Sequence, residues 1–282
     1  MSIAAPYAQA RPRAPSVLPG FKPALGFTLF YLSVIVLIPL AALVLRPWEL
    51  GLSGVIDVVT NPRVLAALKV SFGIAALAAL INCVFGLIVA WVIVRYSFPG
   101  KAQLDALIDL PFALPTAVAG IALTALYAPN GWVGSLFAPF GLQIAYTPFG
   151  ILVALTFVGL PFIVRTLQPV LLELNRENEE AAATLGATRM QTFSRVLLPA
   201  IVPPLATGTG LAFARAVGEY GSVIFIAGNI PMVSEIAPLL IVVRLEQFDY
   251  AGAAAIGLTM LAGSFLVLLA INLLQAWTAR RQ

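Results

Sequence analysis

The sequence predicts an all-α protein that crosses a membrane several times. Two observations carry that fold class. Hydrophobic residues make up 61% of the 282-residue chain and charged residues only 10%, with a mean hydropathy of +0.99. A soluble domain carries roughly 25% charge, so this chain has no arrangement that hides its apolar side chains from water, and lipid is its solvent. The second observation is that apolar runs of spanning length recur along the chain, and its length suits one membrane domain with several spans.

The spans follow in order. Ala24 to Leu45 is the first; as a helix its 22 residues reach about 33 Å, enough for a hydrocarbon core of about 30 Å. The second runs from Val70 to Val94, the third from Leu104 to Ala128, the fourth from Pro148 to Val164, the fifth from Leu205 to Ala227 and the sixth from Ala251 to Trp277. Ile236 to Val243 is apolar but too short to span, and reads as a surface or re-entrant helix on the side opposite the loop around Glu180. Residues 1–23 read as a flexible cytoplasmic tail rather than a signal peptide, because the first apolar run is long enough to stay in the membrane. Residues 278–282 form a short cytoplasmic tail after a membrane domain spanning 24–277.

Charge sets the orientation and removes several functions. With the N-terminus inside, the inner segments hold Arg11, Arg13, Lys22, Arg95, Lys101, Arg165, Arg176, Arg189, Arg195, Arg280 and Arg281, and the outer ones only Arg46, Arg63, Lys69 and Arg244. This bias favours both termini in the cytoplasm. The net charge is +4 without a basic block, which gives no footprint for nucleic acid. Cys83 is the single cysteine, so no internal disulfide forms, and histidine is absent, which removes the commonest metal ligand and proton shuttle. No catalytic cluster, metal set or cofactor motif is expected. The phosphate-cradling Gly-x-x-x-x-Gly-Lys-Ser/Thr pattern is also missing, so ATP is not expected to bind this chain.

Within the third run, Pro111 and Pro115 are candidate helix kinks, since each removes a backbone donor; the kinks either line a pathway or serve packing. Asp105 and Asp109 sit four apart; paired carboxylates suit acid–base catalysis, but with no histidine or metal set beside them they read instead as solvated or salt-bridged helix-end residues. Between the fourth and fifth spans lies a polar, helix-favouring stretch, 173–204, with Glu173, Arg176, Glu177, Glu179, Glu180 and Arg189. Ala181-Ala182-Ala183 gives it a small-residue face, Gly186 permits a sharp turn, and a second short helix is expected through Met190 to Leu198, ended by Pro199. A mere connector is usually shorter.

Glu180-Ala181-Ala182, three residues, Gly186, nine residues, Val196, one residue and Leu198-Pro199 resembles the cytoplasmic signature of bacterial ABC importer permeases, with Val196 where isoleucine is usual. The stretches 105–120, 165–171, 218–229 and 243–250 are similar to the T-type subunit of sulfate/thiosulfate permeases, and the resemblance covers roughly 18–274. Molybdate permeases share the Gly218-Glu219-Tyr220-Gly221 phrase. The resemblance implies a type I ABC importer permease fold with about six transmembrane helices and a cytoplasmic coupling helix, in a bacterial inner membrane. It implies that Glu180, Ala181, Ala182, Gly186, Leu198 and Pro199 couple to a separate ATPase. The partners it implies are a W-type second permease, two ATPase copies and a periplasmic sulfate/thiosulfate-binding protein; the cargo is sulfate or thiosulfate, with molybdate or tungstate as the alternative. An ion-gradient-driven secondary transporter is the reading from another class.

Arg215 and Glu219, expected on one face of the fifth span, carry two readings. Charges at membrane depth usually face a bundle interior or water. Arg215 then attracts the anion with Glu219 holding or releasing it, or the two form a structural salt bridge.

Overall fold

The computed structural model describes residues 20–174 and 176–279, and among these it holds helices and turns with no strand. Most of the two expected tails, 1–23 and 278–282, lies outside the described residues. The chain divides into two units, Met1–Leu45 and Arg46–Gln282.

In the first unit, α1 (Phe21–Leu32) and α2 (Ile38–Leu45) are joined by a π-helical turn, Ser33–Leu37. The helix starts after Gly20, slightly earlier than the apolar run suggests. Pro39 accounts for the π turn. It has no N–H, and its ring collides with the carbonyl four residues back in a regular helix. Widening the turn puts the Ile38 N–H on the Ser33 carbonyl, five residues back. No residue of α1 or α2 is buried.

The second unit opens with a 3-10 turn, Arg46–Leu50, followed by α3 (Gly51–Thr60) and α4 (Pro62–Arg95). Then come α5 (Lys101–Ile108), α6 (Leu110–Ala113), α7 (Thr116–Tyr127), α8 (Gly134–Phe137) and α9 (Pro148–Glu173). The remainder is α10 (Arg176–Thr184), α11 (Arg189–Thr192), α12 (Leu198–Val217), α13 (Val223–Ile226), α14 (Ala237–Glu246) and α15 (Tyr250–Ala279).

The core is the three-helix contact of α4, α9 and α12. The buried face of α4 carries Ala67, Ser71, Ala75, Ala78, Asn82, Gly86 and Ala90, spaced three or four apart on one side of the helix. In lipid, small residues bring helices close enough for dispersion to hold them. A Cβ on Gly86 would lie 2.8 Å from Ile163 Cγ2, and one on Gly159 would lie 2.5 Å from Asn82 Nδ2. Asn82 is buried and donates to the Thr156 carbonyl at 3.0 Å, a polar pin across the α4–α9 seam.

The structure corrects the span reading in three places. The third run is no single helix. Leu114, preceding Pro115, is extended at φ −86° and ψ 135°, as the proline ring demands. Pro111 sits in the first turn of α6, where its missing N–H costs no bond. The remaining α7 has 12 residues, about 18 Å, too short for the core. Among the described residues, five helical runs are long and apolar enough to cross: Phe21–Thr60, Pro62–Arg95, Pro148–Glu173, Arg189–Val217 and Tyr250–Leu273. The fifth expected span also ends early, at Val217, with α13 a separate short helix beyond the break. Finally, Pro199 does not end a helix. A second π turn, Phe193–Leu197, puts the Leu198 N–H on the Phe193 carbonyl, and the helix continues through the proline.

The long α4 separates two polar regions. Near its start, the Ala237 N–H at the head of α14 donates to Ser71 Oγ at 2.9 Å, and Arg63 binds Glu235. At its end, Arg95 meets Glu179 of α10. Arg63 and Arg95 are 32 residues apart in one helix, about 48 Å, so α10 and α14 belong to opposite ends of a core about 30 Å thick.

Candidate functional site

The segment after α9 folds into a helix–turn–helix. Glu180, Ala181 and Ala182 lie in α10, Glu180 and Ala181 exposed and Ala182 half-buried. Gly186 has φ +80°. Its N–H bonds the Ala183 carbonyl at 3.0 Å and the next N–H, of Ala187, bonds the Ala182 carbonyl at 3.0 Å. Those two bonds are a Schellman closure with Gly186 at the left-handed position. The following helix starts on a capping box: Thr188 Oγ1 accepts the Gln191 N–H, and Gln191 Oε1 accepts the Thr188 N–H. Consecutive stop and start signals thus define the turn within a few residues. Its tip presents Leu185, 88% exposed, and Met190, 73% exposed. Leu198 and Pro199 are half-buried at the root of α12.

The helix–turn–helix is fastened to the end of α4. Arg95 Nη2 lies 2.9 Å from Glu179 Oε1, with only 11% of the arginine side chain exposed. The guanidinium stacks 5.2 Å from the Trp91 ring centre, and Trp91 packs edge-on against Phe193 at 6.0 Å. The ion pair therefore joins α10 to the end of α4, and the aromatic contact joins α4 to the π turn at the root of α12.

A second cluster ties the broken third run to α9. Arg165 Nε and Nη2 donate to Asp109, Nη1 donates to Asp105 Oδ1 at 2.7 Å, and Gln168 Nε2 donates to the same Asp105 oxygen at 2.9 Å. One guanidinium fork thus spans α5 and the break before α6. Asp105 and Asp109 are salt-bridged helix-end residues, as one of their two sequence readings had it.

Arg215 and Glu219 contact each other through Nη1 and Oε2 at 2.5 Å. They do not share a regular helix face, because α12 ends at Val217 and Glu219 sits in the turn beyond. The contact survives because the Glu219 N–H still bonds the Ala216 carbonyl, keeping one further turn of helical register. Glu219 is 3% exposed, and its other oxygen accepts both the N–H and the hydroxyl of Ser222, each at 2.9 Å. Tight approach of α7 fixes this turn: a Cβ on Gly120 would lie 2.4 Å from the Ser222 carbonyl. Glu219 is therefore a fixed counter-charge with both oxygens committed, while Arg215 keeps donors free of it.

Four residues were given no contact from sequence: Arg95, Glu179, Ser222 and Gln168. Ser222 carried a usable signal, being three residues from an acid at a helix end. Arg95 and Glu179 pair across 84 positions, and Gln168 reaches Asp105 across 63. No group of three or more metal-ligating side chains occurs among the described residues.

Residues 82–282 match the family described as binding-protein-dependent transport system inner membrane component, and the chain belongs to that family. It is 52% identical over 265 residues to the sulfate transport system permease protein CysT of Salmonella typhimurium, covering 94% of this chain and 96% of that one. The Synechocystis protein of the same name is 54% identical over 253 residues, covering 90% and 88%. Among solved structures, a bacterial ABC transporter that imports the acidic polysaccharide alginate superposes with a TM-score of 0.75 at 16% identity, over 90% of this chain and 94% of that one. That likeness establishes the type I permease fold.

Proposed function

We propose that this chain is the T-type permease subunit of an ATP-driven importer that carries sulfate, and thiosulfate, into the cytoplasm. The observation that carries the reading is the near full-length, 52% likeness to a sulfate permease. The membrane domain is 24–277, and 173–204 is its coupling loop. Its partners in this reading are a W-type permease, two copies of an ATPase and a periplasmic sulfate/thiosulfate-binding protein. A solved relative supports the last of these, as it is in complex with a substrate-bound periplasmic protein. The setting is a bacterial inner membrane with both termini in the cytoplasm, supported by the basic-residue bias.

In this mechanism the ATPase pair grips the turn at Gly186 through Leu185 and Met190. Closure of that pair moves α10, and the Arg95–Glu179 and Trp91–Phe193 contacts pass the movement to α4 and α12 as a rigid-body switch. Arg215 offers its remaining N–H donors to the anion, while Glu219, anchored by Ser222, holds the arginine in place. The chain carries the pathway, and hydrolysis resides in the partner. The test is labelled sulfate uptake into vesicles holding the four-component assembly. Uptake is expected to require ATP and to be competed by thiosulfate. Uptake sustained by an ion gradient without ATP, or molybdate uptake without sulfate uptake, overturns the reading.

A further inference from the structure

At the end of α4 remote from the coupling loop, a cavity of about 320 Å³ is lined by Asn61, Arg63, Val64, Leu240, Arg244 and Gln247, with Val243 completing its apolar wall. The pathway residues Arg215 and Glu219 are not part of it. Its polar lining has an unusual valence balance. Arg63 uses Nε and Nη2 on Glu235, at 2.8 and 2.7 Å, which leaves Nη1. Arg244 uses Nη1 on Asp249, which leaves Nε and Nη2. Asn61 Oδ1 already accepts the Arg63 N–H at 3.0 Å, which leaves its NH₂ group.

The carboxylate oxygens around the cavity each already hold a hydrogen bond. Glu235 is 3% exposed with both oxygens on Arg63, while Arg63 is 47% exposed, so the cation faces out and the carboxylate in. Asp249 Oδ1 accepts the Gly252 N–H and Oδ2 accepts Arg244. The last carbonyls of α14 are closed too: Gln247, Phe248 and Asp249 donate to Val243, Leu245 and Arg244. What remains is a set of N–H donors, with Gln247 Oε1 the one uncommitted side-chain acceptor among the lining residues. Ion pairing to the carboxylates also holds both guanidinium groups in fixed orientations.

A lining in which donors outnumber acceptors this far selects its ligand. An oxyanion that bears no proton at neutral pH only accepts hydrogen bonds, and such a site satisfies it. Phosphate keeps a proton near neutrality and needs an acceptor, for which the lining offers Gln247 Oε1 alone among its uncommitted side-chain groups. The volume equals that of about ten waters, so the anion enters with part of its hydration shell. We propose that this cavity is an outer-face staging site for a fully deprotonated tetrahedral oxyanion of the sulfate class. The proposal rests on the sulfate and orientation readings above.

The test uses the assembled complex in lipid nanodiscs without the delivery protein, and radiolabelled sulfate in a proximity binding assay. Saturable binding is expected, with phosphate and acetate each competing at least tenfold more weakly than unlabelled sulfate. Arg244→Gln and Gln247→Glu are each expected to weaken binding tenfold or more. Gln247 is exposed and makes no contact that folding needs, so its variant remains informative if Arg244→Gln misfolds. Absence of saturable binding, equal competition by phosphate or acetate, or binding indifferent to both variants overturns the site. Two controls separate this from failure of the underlying readings. ATP-driven sulfate uptake by the complete assembly tests the substrate independently. Gln247→Cys in a Cys83→Ala background, labelled by a membrane-impermeant maleimide from outside the cell, tests the orientation.

Discussion

Gly186 allows the coupling assignment to be tested by separating conformation from contact. Its φ of +80° lies where an L side chain is strained, and nothing stands within 4 Å of a Cβ placed there. Within this chain a substitution therefore costs only the left-handed backbone, about 1–2 kcal/mol for Ala or Val. That reduces the correctly turned population about five- to thirtyfold. Asn visits this region readily, so Gly186→Asn keeps the turn while adding a side chain at the tip. If an ATPase groove receives the turn at close range, Gly186→Asn weakens co-purification with the ATPase, and Gly186→Val removes it along with sulfate-stimulated ATP hydrolysis. A Val variant that co-purifies and hydrolyses ATP as well as the parent refutes the docking assignment. An Asn variant equal to the parent, beside a defective Val variant, refutes close approach and leaves Gly186 needed for the turn alone.

Three further outcomes are expected. Gly159→Ala puts a Cβ 2.5 Å from Asn82 Nδ2, which is backed into the α4–α9 seam, and costs about 1–3 kcal/mol of overpacking; thermal unfolding of the purified complex reads it, and adding Asn82→Ala recovers part of the loss. Arg165→Met removes the fork that holds Asp105 and Asp109, whose side chains are 40% and 47% exposed; water screens each pair, so the loss is about 1–2 kcal/mol, seen as faster amide exchange across α5 and α6 with α4 unchanged. At Asp249, burial raises the carboxyl pKa, but the Gly252 N–H and Arg244 outweigh it and hold it below the usual range. A depressed carboxyl stabilises the fold above its unfolded pKa of about 3.9 and loses that contribution as pH falls through the folded value. The turn after α14 is thus expected to be intact at neutral pH and to loosen in acid, and Asp249→Asn reproduces the loosened state at pH 7 by amide exchange.

How much of this was legible in the sequence depends on how far apart the cooperating residues are. The turn at Gly186 was readable because a Schellman closure and a capping box are local, with every partner within five residues. The broken third run was half-readable. Pro111 and Pro115 were visible, but a hydropathy window averages over them and reports one span where two breaks occur. Arg215 and Glu219, four positions apart, were readable as a pair, but the long-range ion pairs were not. Arg165 reaches Asp105 across 60 positions and Arg95 reaches Glu179 across 84, and no periodicity links such residues. Composition says only that charges this scarce, in lipid, need partners.

Proline is where the solvent changed the rule. Pro199 reads as a helix stop because in water a helix can end anywhere and hydrate its last carbonyls. At a lipid boundary those carbonyls have few partners, and each unsatisfied one costs several kcal/mol. Adding one residue to the preceding turn costs less, since the N–H before the proline then reaches the carbonyl five back. Phe193–Leu197 before Pro199 and Ser33–Leu37 before Pro39 adopt that same solution in two unrelated sequences. What they share is a proline two residues past the π turn in an apolar setting. If the widened turn serves only to accommodate the ring, Pro199→Ala permits the regular register and rotates α11 against α12 by about 100°, one residue of helix. A disulfide cross-link between cysteines placed on α10 and the Phe193 turn is then expected to change its pairing preference. An unchanged cross-linking pattern places the cause of the π turn in packing against Trp91 instead.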